Sequence, residues 1–396
     1  GLTLLLVIAG NGVMLPVERR IQADLIARAH ARVLEYKPLV IGIAGSYGKT
    51  STKHILAGLL NVYTDTLPTP KSYNTLMGIT RTINEYLQPR HRAFVVEMDP
   101  YAPGEVAAMC RLAGPTVALI TSVGPQHLER FGTQERIGDA IYELVAALPP
   151  GSAAVIYGGE PQSARLAERA AREGYRVVRY GLAAEEDVGP LDVTAGDVTL
   201  DGRGAQFTWR WPAAGLEQRV SIPLLGRHNI LNVSAALAVM HLLGYPVGEA
   251  ARDARRLEPV EHRLQLLRGP GGITIIDDSY NANPVGIHNG LDVLAAMSGS
   301  PKILVTPGLV ELGVVQDAEN ARVGEHAARV CDQVILVGAA QTKPIAAGLR
   351  AAGGDGARVH VVETLDEVQA LIARLAGPGA VVLFANDLPD TYLAMR

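Results

Sequence analysis

The apolar run Leu39-Val40-Ile41 passes directly into Gly42-Ile43-Ala44-Gly45-Ser46-Tyr47-Gly48-Lys49-Thr50-Ser51-Thr52. A buried strand that breaks into a glycine turn and opens a helix at Thr50 makes a phosphate cradle. Backbone N–H groups from Gly45 to Ser51 point at an anion, Lys49 adds a mobile positive charge, and the Thr50 hydroxyl is placed to ligate Mg2+. The strict P-loop spacing wants glycine at position 43, where this chain has Ile43. Its glycines stand instead at 42, 45 and 48, in steps of three. The expected ligand is a nucleoside triphosphate.

The alternation continues downstream. Ala93-Phe94-Val95-Val96 and Val117-Ala118-Leu119-Ile120 read as strands, and residues 104–112 and 134–148 as helices, so a βαβ rhythm predicts parallel strands with ligands at their carboxyl ends. Residues 192–224 alternate as an antiparallel excursion with a turn at Asp201-Gly202. A hinge is expected over Glu258 to Arg263, and strands at 273–276, 302–305, 334–337, 359–362 and 380–384 predict a second open parallel sheet. The expected fold class is α/β: a central P-loop ATPase domain over 36–262, with a parallel sheet and a small antiparallel excursion, then a Rossmann-like domain over 263–396.

A chain of 396 residues has room for such domains. Its net charge of -4 supplies no basic surplus for nucleic acid. Cys110 and Cys331 lie far apart in apolar stretches, which predicts buried thiols rather than a disulfide. Residues 1–35 are a separate matter. Leu2 to Leu15 is almost wholly apolar, then come Glu18-Arg19-Arg20, Arg28 and Arg32. The apolar run is shorter than the roughly 20 residues that span a bilayer. It reads either as the last turns of a membrane helix with arginines on the cytoplasmic side, or as a core helix or strand, with Gly10-Asn11-Gly12 suggesting a turn. Residues 21–34 have the spacing of an amphipathic helix.

Glu97 follows its strand where a carboxylate can hold Mg2+ over phosphates, with Asp99 as its rival, and His127 follows the next strand to the same sheet edge. Around these residues the chain resembles the Mur ligases. The resemblance rests on seven ordered motifs: Gly42 to Ser51, Asn74 with Gly78, Glu97 with Ala102-Pro103-Gly104-Glu105, Thr121 to Glu129, Gly226-Arg227-His228-Asn229 with Asn232, Glu261 to Gln265, and Asp277 to Pro284. Within that family the last motif and Ala-Pro-Gly-Glu are most similar to the branch that adds D-alanyl-D-alanine to a muramyl tripeptide.

The resemblance implies ATP-dependent amide formation through an acyl phosphate, with ATP and Mg2+, a muramyl-peptide-like acceptor, an amino acid or dipeptide as amine, and a monomeric enzyme of the cytoplasm or the inner membrane face. It implies that Lys49 contacts phosphates, that Thr50 and Glu97 hold Mg2+, and that His127 serves a second metal. Asn229 and Asn283 would contact the base region, Arg263 a phosphate, and Asp278 the ribose or phosphates. Lys49, Glu97, His127 and Arg263 would be the catalytic set.

The chain departs from the pattern in three places. The family's carbamylated lysine aligns with Ile141, leaving Asp139 or Glu143 to supply the missing oxygen. Only some 35 residues precede the ATPase, where a uridine-nucleotide-gripping domain is usual, which points to a lipid-linked or polymeric acceptor at the membrane. The C-terminal stretch Phe384 to Tyr392 lacks the family's arginine. A scaffold that binds ATP beside another catalytic chain is the alternative reading.

Overall fold

The computed structural model describes residues 2–126, 128–280 and 283–386. Two sheets organise them. The first holds β1 (Leu39–Ala44), β2 (Thr66–Pro68), β3 (Ala93–Glu97), β4 (Val117–Ile120), β5 (Ala153–Tyr157), β6 (Arg176–Leu182), β7 (Val193–Asp201), β8 (Gly204–Trp211) and β9 (Leu216–Ile222) in the order β2-β3-β1-β4-β5-β6-β7-β8-β9. From β2 to β7 the pairing is parallel, and β7-β8-β9 form the antiparallel excursion.

Because β1 lies between β3 and β4, the chain leaves it toward one neighbour and later returns on the other side, which opens a crevice at the carboxyl ends of these three strands. Successive residues face opposite sides. Ile41 and Ile43 pack with α2 (Lys49–Leu60) and the helix Arg227–Leu242, while Val40 and Ala44 pack with α3 (Leu76–Glu85), α4 (Glu105–Ala113) and the helix Gln134–Ala146. The sheet is thus apolar on both faces, and its edge is left for chemistry.

The second sheet contains β10 (Gln265–Arg268), β11 (Thr274–Asp278), β12 (Lys302–Thr306), β13 (Gln333–Val337), β14 (Val359–Val362) and β15 (Val381–Ala385) in the order β10-β11-β15-β12-β13-β14. Five strands are parallel as expected. The sixth, β10, pairs antiparallel with β11, because Ile273 follows only a tight turn at Pro270–Gly272 that can reverse the chain but cannot carry a crossover. On one face the helices Gln316–Val330 and Lys343–Ala351 approach so closely that a Cβ on Gly348 would lie 1.9 Å from the Ala321 carbonyl oxygen, and one on Gly324 2.0 Å from that of Ile345. Cys110 and Cys331 are both buried free thiols, and burial pushes each up to about 12.

At the N-terminus one helix, α1 (Leu2–Tyr36), runs through Gly10-Asn11-Gly12, so the expected turn is absent. Gly and Asn each cost only about 1 kcal/mol or less in a helix interior, a weak preference that context overrides. Ala29 and Val33 are buried against the sheet's helices, whereas Met14, Leu15, Val17 and Ile21 are exposed and lie outside the core. Among the described residues no helix is long and apolar enough to cross a membrane.

Candidate active site

The glycine turn after β1 is locked to the segment after β4. Ser46 accepts from the Gly124 N–H at 2.9 Å and its hydroxyl donates to the Gly124 carbonyl at 3.0 Å, while the Ser46 N–H donates to the Ser122 carbonyl at 2.7 Å. Gly48 has φ 81°, a left-handed turn that glycine adopts without strain, and a Cβ there would lie 2.9 Å from Asn232 Oδ1. Helix α2 begins at Lys49, whose ammonium folds back to Asp99 Oδ1 and to the Ser46 carbonyl, both at 3.1 Å. Asp99, read as the rival of Glu97, is therefore the lysine's partner.

Glu97, at the end of β3, is the centre of a buried network. Its Oε1 accepts from the Thr50 hydroxyl at 3.0 Å and from Asn74 Nδ2 at 3.1 Å, and its own N–H donates to Thr69 Oγ1 at 3.2 Å. Its Oε2 is held by Lys53 Nζ at 2.9 Å, and the same ammonium donates to the Lys71 carbonyl at 2.7 Å. Sequence reasoning missed Lys53. The signal was its place one turn beyond Lys49 and Thr50 on α2, the spacing that puts side chains on a common face. Thr50 and Glu97 bring two oxygen donors together, a set that suits Mg2+.

The second sheet contributes from the opposite side. Between His262 at φ 59° and Leu264 at φ 45°, two residues in the left-handed region, stands Arg263, with its guanidinium 4.7 Å from the centre of the Tyr280 ring. The Tyr280 hydroxyl in turn hydrogen-bonds the Ser72 hydroxyl in the loop between β2 and α3. Asp278, at the end of β11, is buried and accepts from the Leu264 N–H at 3.2 Å. Burial raises its carboxyl to about 6, against the opposing pull of Arg263. His228 is pushed down to about 4 by burial and then by Arg263, and its Nδ1 has no partner among the described residues.

A cavity of about 320 Å3 joins these groups, with Ser46, Gly48, Lys49, Thr50, Ser51 and Glu97 on one wall and Arg263, Asp278 and Asn283 on the other. Asn283 also caps the helix Pro284–Ala296, accepting from the Gly286 N–H at 2.8 Å. Glu311 and Leu312, in the loop after β12, close the same cavity.

Two expected site residues stand behind it. Gly45 lies against Thr121, whose Oγ1 would be 2.0 Å from a Cβ. Asn229 donates to the Leu225 carbonyl at 2.8 Å and accepts from Asn232, which accepts from the Thr52 hydroxyl, so its amide ties its helix to α2. His127, Asn281 and the residues after Asn386 lie outside the described residues. Ile141 is fully buried in the core. Neither carboxylate expected to replace the missing lysine faces the cavity: Asp139 pairs with Arg169 at 3.3 Å on the surface, and Glu143 accepts from the Gly104 and Ala107 N–H groups at 2.6 and 2.9 Å, where the positive N-terminus of α4 draws it.

Two family models match, the Mur ligase middle domain over residues 43–240 and the Mur ligase, glutamate ligase domain over residues 262–386. The UDP-N-acetylmuramoyl-tripeptide–D-alanyl-D-alanine ligase of Mycobacterium tuberculosis (strain ATCC 25618 / H37Rv) is 32% identical over 324 residues, 80% of this chain and 61% of the relative. The Escherichia coli (strain K12) enzyme of the same name is 31% identical over 300 residues, 76% of this chain and 64% of the relative. The chain thus spans about three fifths of these relatives' length. Among solved structures, MurF from Acinetobacter baumannii superposes with a TM-score of 0.80 at 25% identity, over 94% of this chain and 79% of that one. The MurF ligase from Thermotoga maritima in complex with ADP also gives 0.80 at 25%, over 92% and 80%.

Proposed function

Since the chain belongs to the Mur ligase family, we propose that it is an ATP-dependent amide ligase of peptidoglycan precursor synthesis that adds D-alanyl-D-alanine to a muramyl-tripeptide acceptor. One observation carries the reading: a single cavity holds Lys49, Thr50 and Glu97 from one sheet and Arg263 and Asp278 from the other. The names of the relatives support the reaction, and the ADP in the Thermotoga maritima neighbour supports the nucleotide.

A carboxylate is a poor acyl donor at neutral pH. Attack of its oxygen on the γ-phosphorus, with ADP leaving, makes an acyl phosphate; the amine then attacks the acyl carbon and phosphate departs with the C–O electron pair. The turn from Ser46 to Ser51 grips the phosphates, and Lys49 leaves Asp99 to offset the charge that gathers on the transferred group. Arg263 supplies a second cation from the facing sheet, and Asp278 accepts from the ribose. Mg2+, held by Thr50 and Glu97, would neutralise phosphate charge. His127 is proposed to serve a second metal, and Asn229 to act through Asn232 and Gly48. The exposed apolar residues of α1 support an acceptor held at a membrane face.

The test incubates the protein with ATP, Mg2+, UDP-N-acetylmuramoyl-tripeptide and D-alanyl-D-alanine, and follows phosphate and product. Release that requires both acceptor and amine is expected, with a lipid-linked acceptor as a parallel arm. Release that depends on neither would overturn the ligase reading.

A further inference from the structure

Lys53 is fully buried, and its pairing with Glu97 has no part in the reaction as derived above. A lysine is almost never fully buried unless a partner requires it. Here the ammonium is 2.9 Å from Glu97 Oε2 and 2.7 Å from the Lys71 carbonyl, so it faces the carboxylate from the side opposite Thr50 and Asn74, which both bond Oε1. A few residues away, Lys49 stands 3.1 Å from Asp99. Charges therefore meet in pairs around the place where the cation would sit. The Thr50 hydroxyl, donating to Glu97, keeps its oxygen lone pairs for a cation. The carboxylate beside it is already countered. A protein site that draws a divalent ion by itself needs uncompensated negative charge, and among the described residues no cluster of three or more metal-ligating side chains supplies it.

We propose that Lys53 is a positioning residue that fixes Glu97 through Oε2 and cancels its charge, so that a divalent cation enters this site only together with the phosphates of a nucleotide. The phosphates bring the negative charge that the protein withholds. The same ammonium anchors the loop of Lys71 and Ser72 to the carboxylate, which holds Oε1 toward Thr50. The proposal rests on the nucleotide reading above, but its central measurement uses no nucleotide.

Mn2+ serves as the probe, its binding followed by electron paramagnetic resonance and calorimetry on the whole protein with and without ADP. The unaltered protein is expected to bind Mn2+ weakly alone and one ion tightly with ADP. Lys53→Met removes the countercharge and is expected to raise nucleotide-free Mn2+ affinity by at least about tenfold. Lys53→Arg, which keeps the charge, is expected to behave as the unaltered protein, and adding Glu97→Gln to Lys53→Met abolishes the gain. A role confined to packing would not move Mn2+ affinity in this pattern. A folded Lys53→Met protein with no gain overturns the proposal, as does an unaltered protein that binds one Mn2+ equally well with and without ADP. Lys53→Gln takes the place of the Met variant if that variant does not fold, and the same gain or its absence decides. If the gain appears while the unaltered protein binds no Mn-ADP, Lys53 keeps its role and the nucleotide reading falls.

Discussion

Asp278→Asn isolates a single titration. Burial raises the Asp278 carboxyl from 3.8 to about 6, with Arg263 and the Leu264 N–H working against the shift. Between these two values the folded protein holds a proton that the unfolded chain has lost. Stability from this group is therefore fully present below pH 3.8 and disappears as pH rises through 6. A gap of about two pH units corresponds to about 3 kcal/mol. Asparagine keeps the shape and an oxygen for the Leu264 N–H but does not ionise, so the variant lacks this dependence. Denaturation of both proteins without ligand, from pH 4 to pH 8, should show the variant gaining on the parent by about 2.5 kcal/mol across that range, most of it before pH 7. Other titrating groups, His228 among them, cancel in the difference. Any constant effect of the substitution on Arg263 displaces one curve without tilting it. Two parallel curves would refute the assignment of a raised carboxyl to Asp278.

Gly348→Ala gains about 1 kcal/mol of helix propensity but drives a Cβ to 1.9 Å from the Ala321 carbonyl oxygen. Overpacking of that kind costs about 1–3 kcal/mol or more, so thermal melting should show net destabilisation, and an equal or higher melting temperature would contradict the close helix crossing. Tyr47→Phe removes a buried hydroxyl that has no hydrogen-bond partner among the described residues. An unsatisfied group of this type costs about 1–3 kcal/mol, so the variant should match or exceed the parent in urea denaturation, and a loss of more than about 1 kcal/mol would mean that the hydroxyl is bonded in solution.

What was legible in the sequence is what depends on local order. The glycine turn, the strand endings at Glu97 and Asp278, and the antiparallel stretch from Val193 to Ile222 all announce themselves through apolar runs and breaks within a dozen residues. What escaped depends on which strands become neighbours. Lys53 looks like one more polar residue on α2 until β3 pairs beside β1 and delivers Glu97 to it. Asn229 carries a family role in its motif, yet its distance from the cavity is set by how its helix packs on α2 through Asn232 and Thr52. Asp139 and Glu143 share a helix with Ile141, but only the placement of α4 and of Arg169 reveals where their carboxylates point. The antiparallel edge strand β10 was hidden because its four residues, starting where the motif ends at Gln265, are too short a run to stand out as a strand.

The segment from Glu258 to Leu264 leads into the second sheet at β10. Arg263 is carried at its tip between two left-handed residues, and its guanidinium lies on the ring whose hydroxyl meets Ser72. One interlock thus joins the loop gripping Glu97 to the cation offered by the opposite sheet. Were the sheets to draw apart, the arginine and the aromatic latch would withdraw in a single movement, and the half-site left behind would keep its lysines but lose the charge that faces them across the gap.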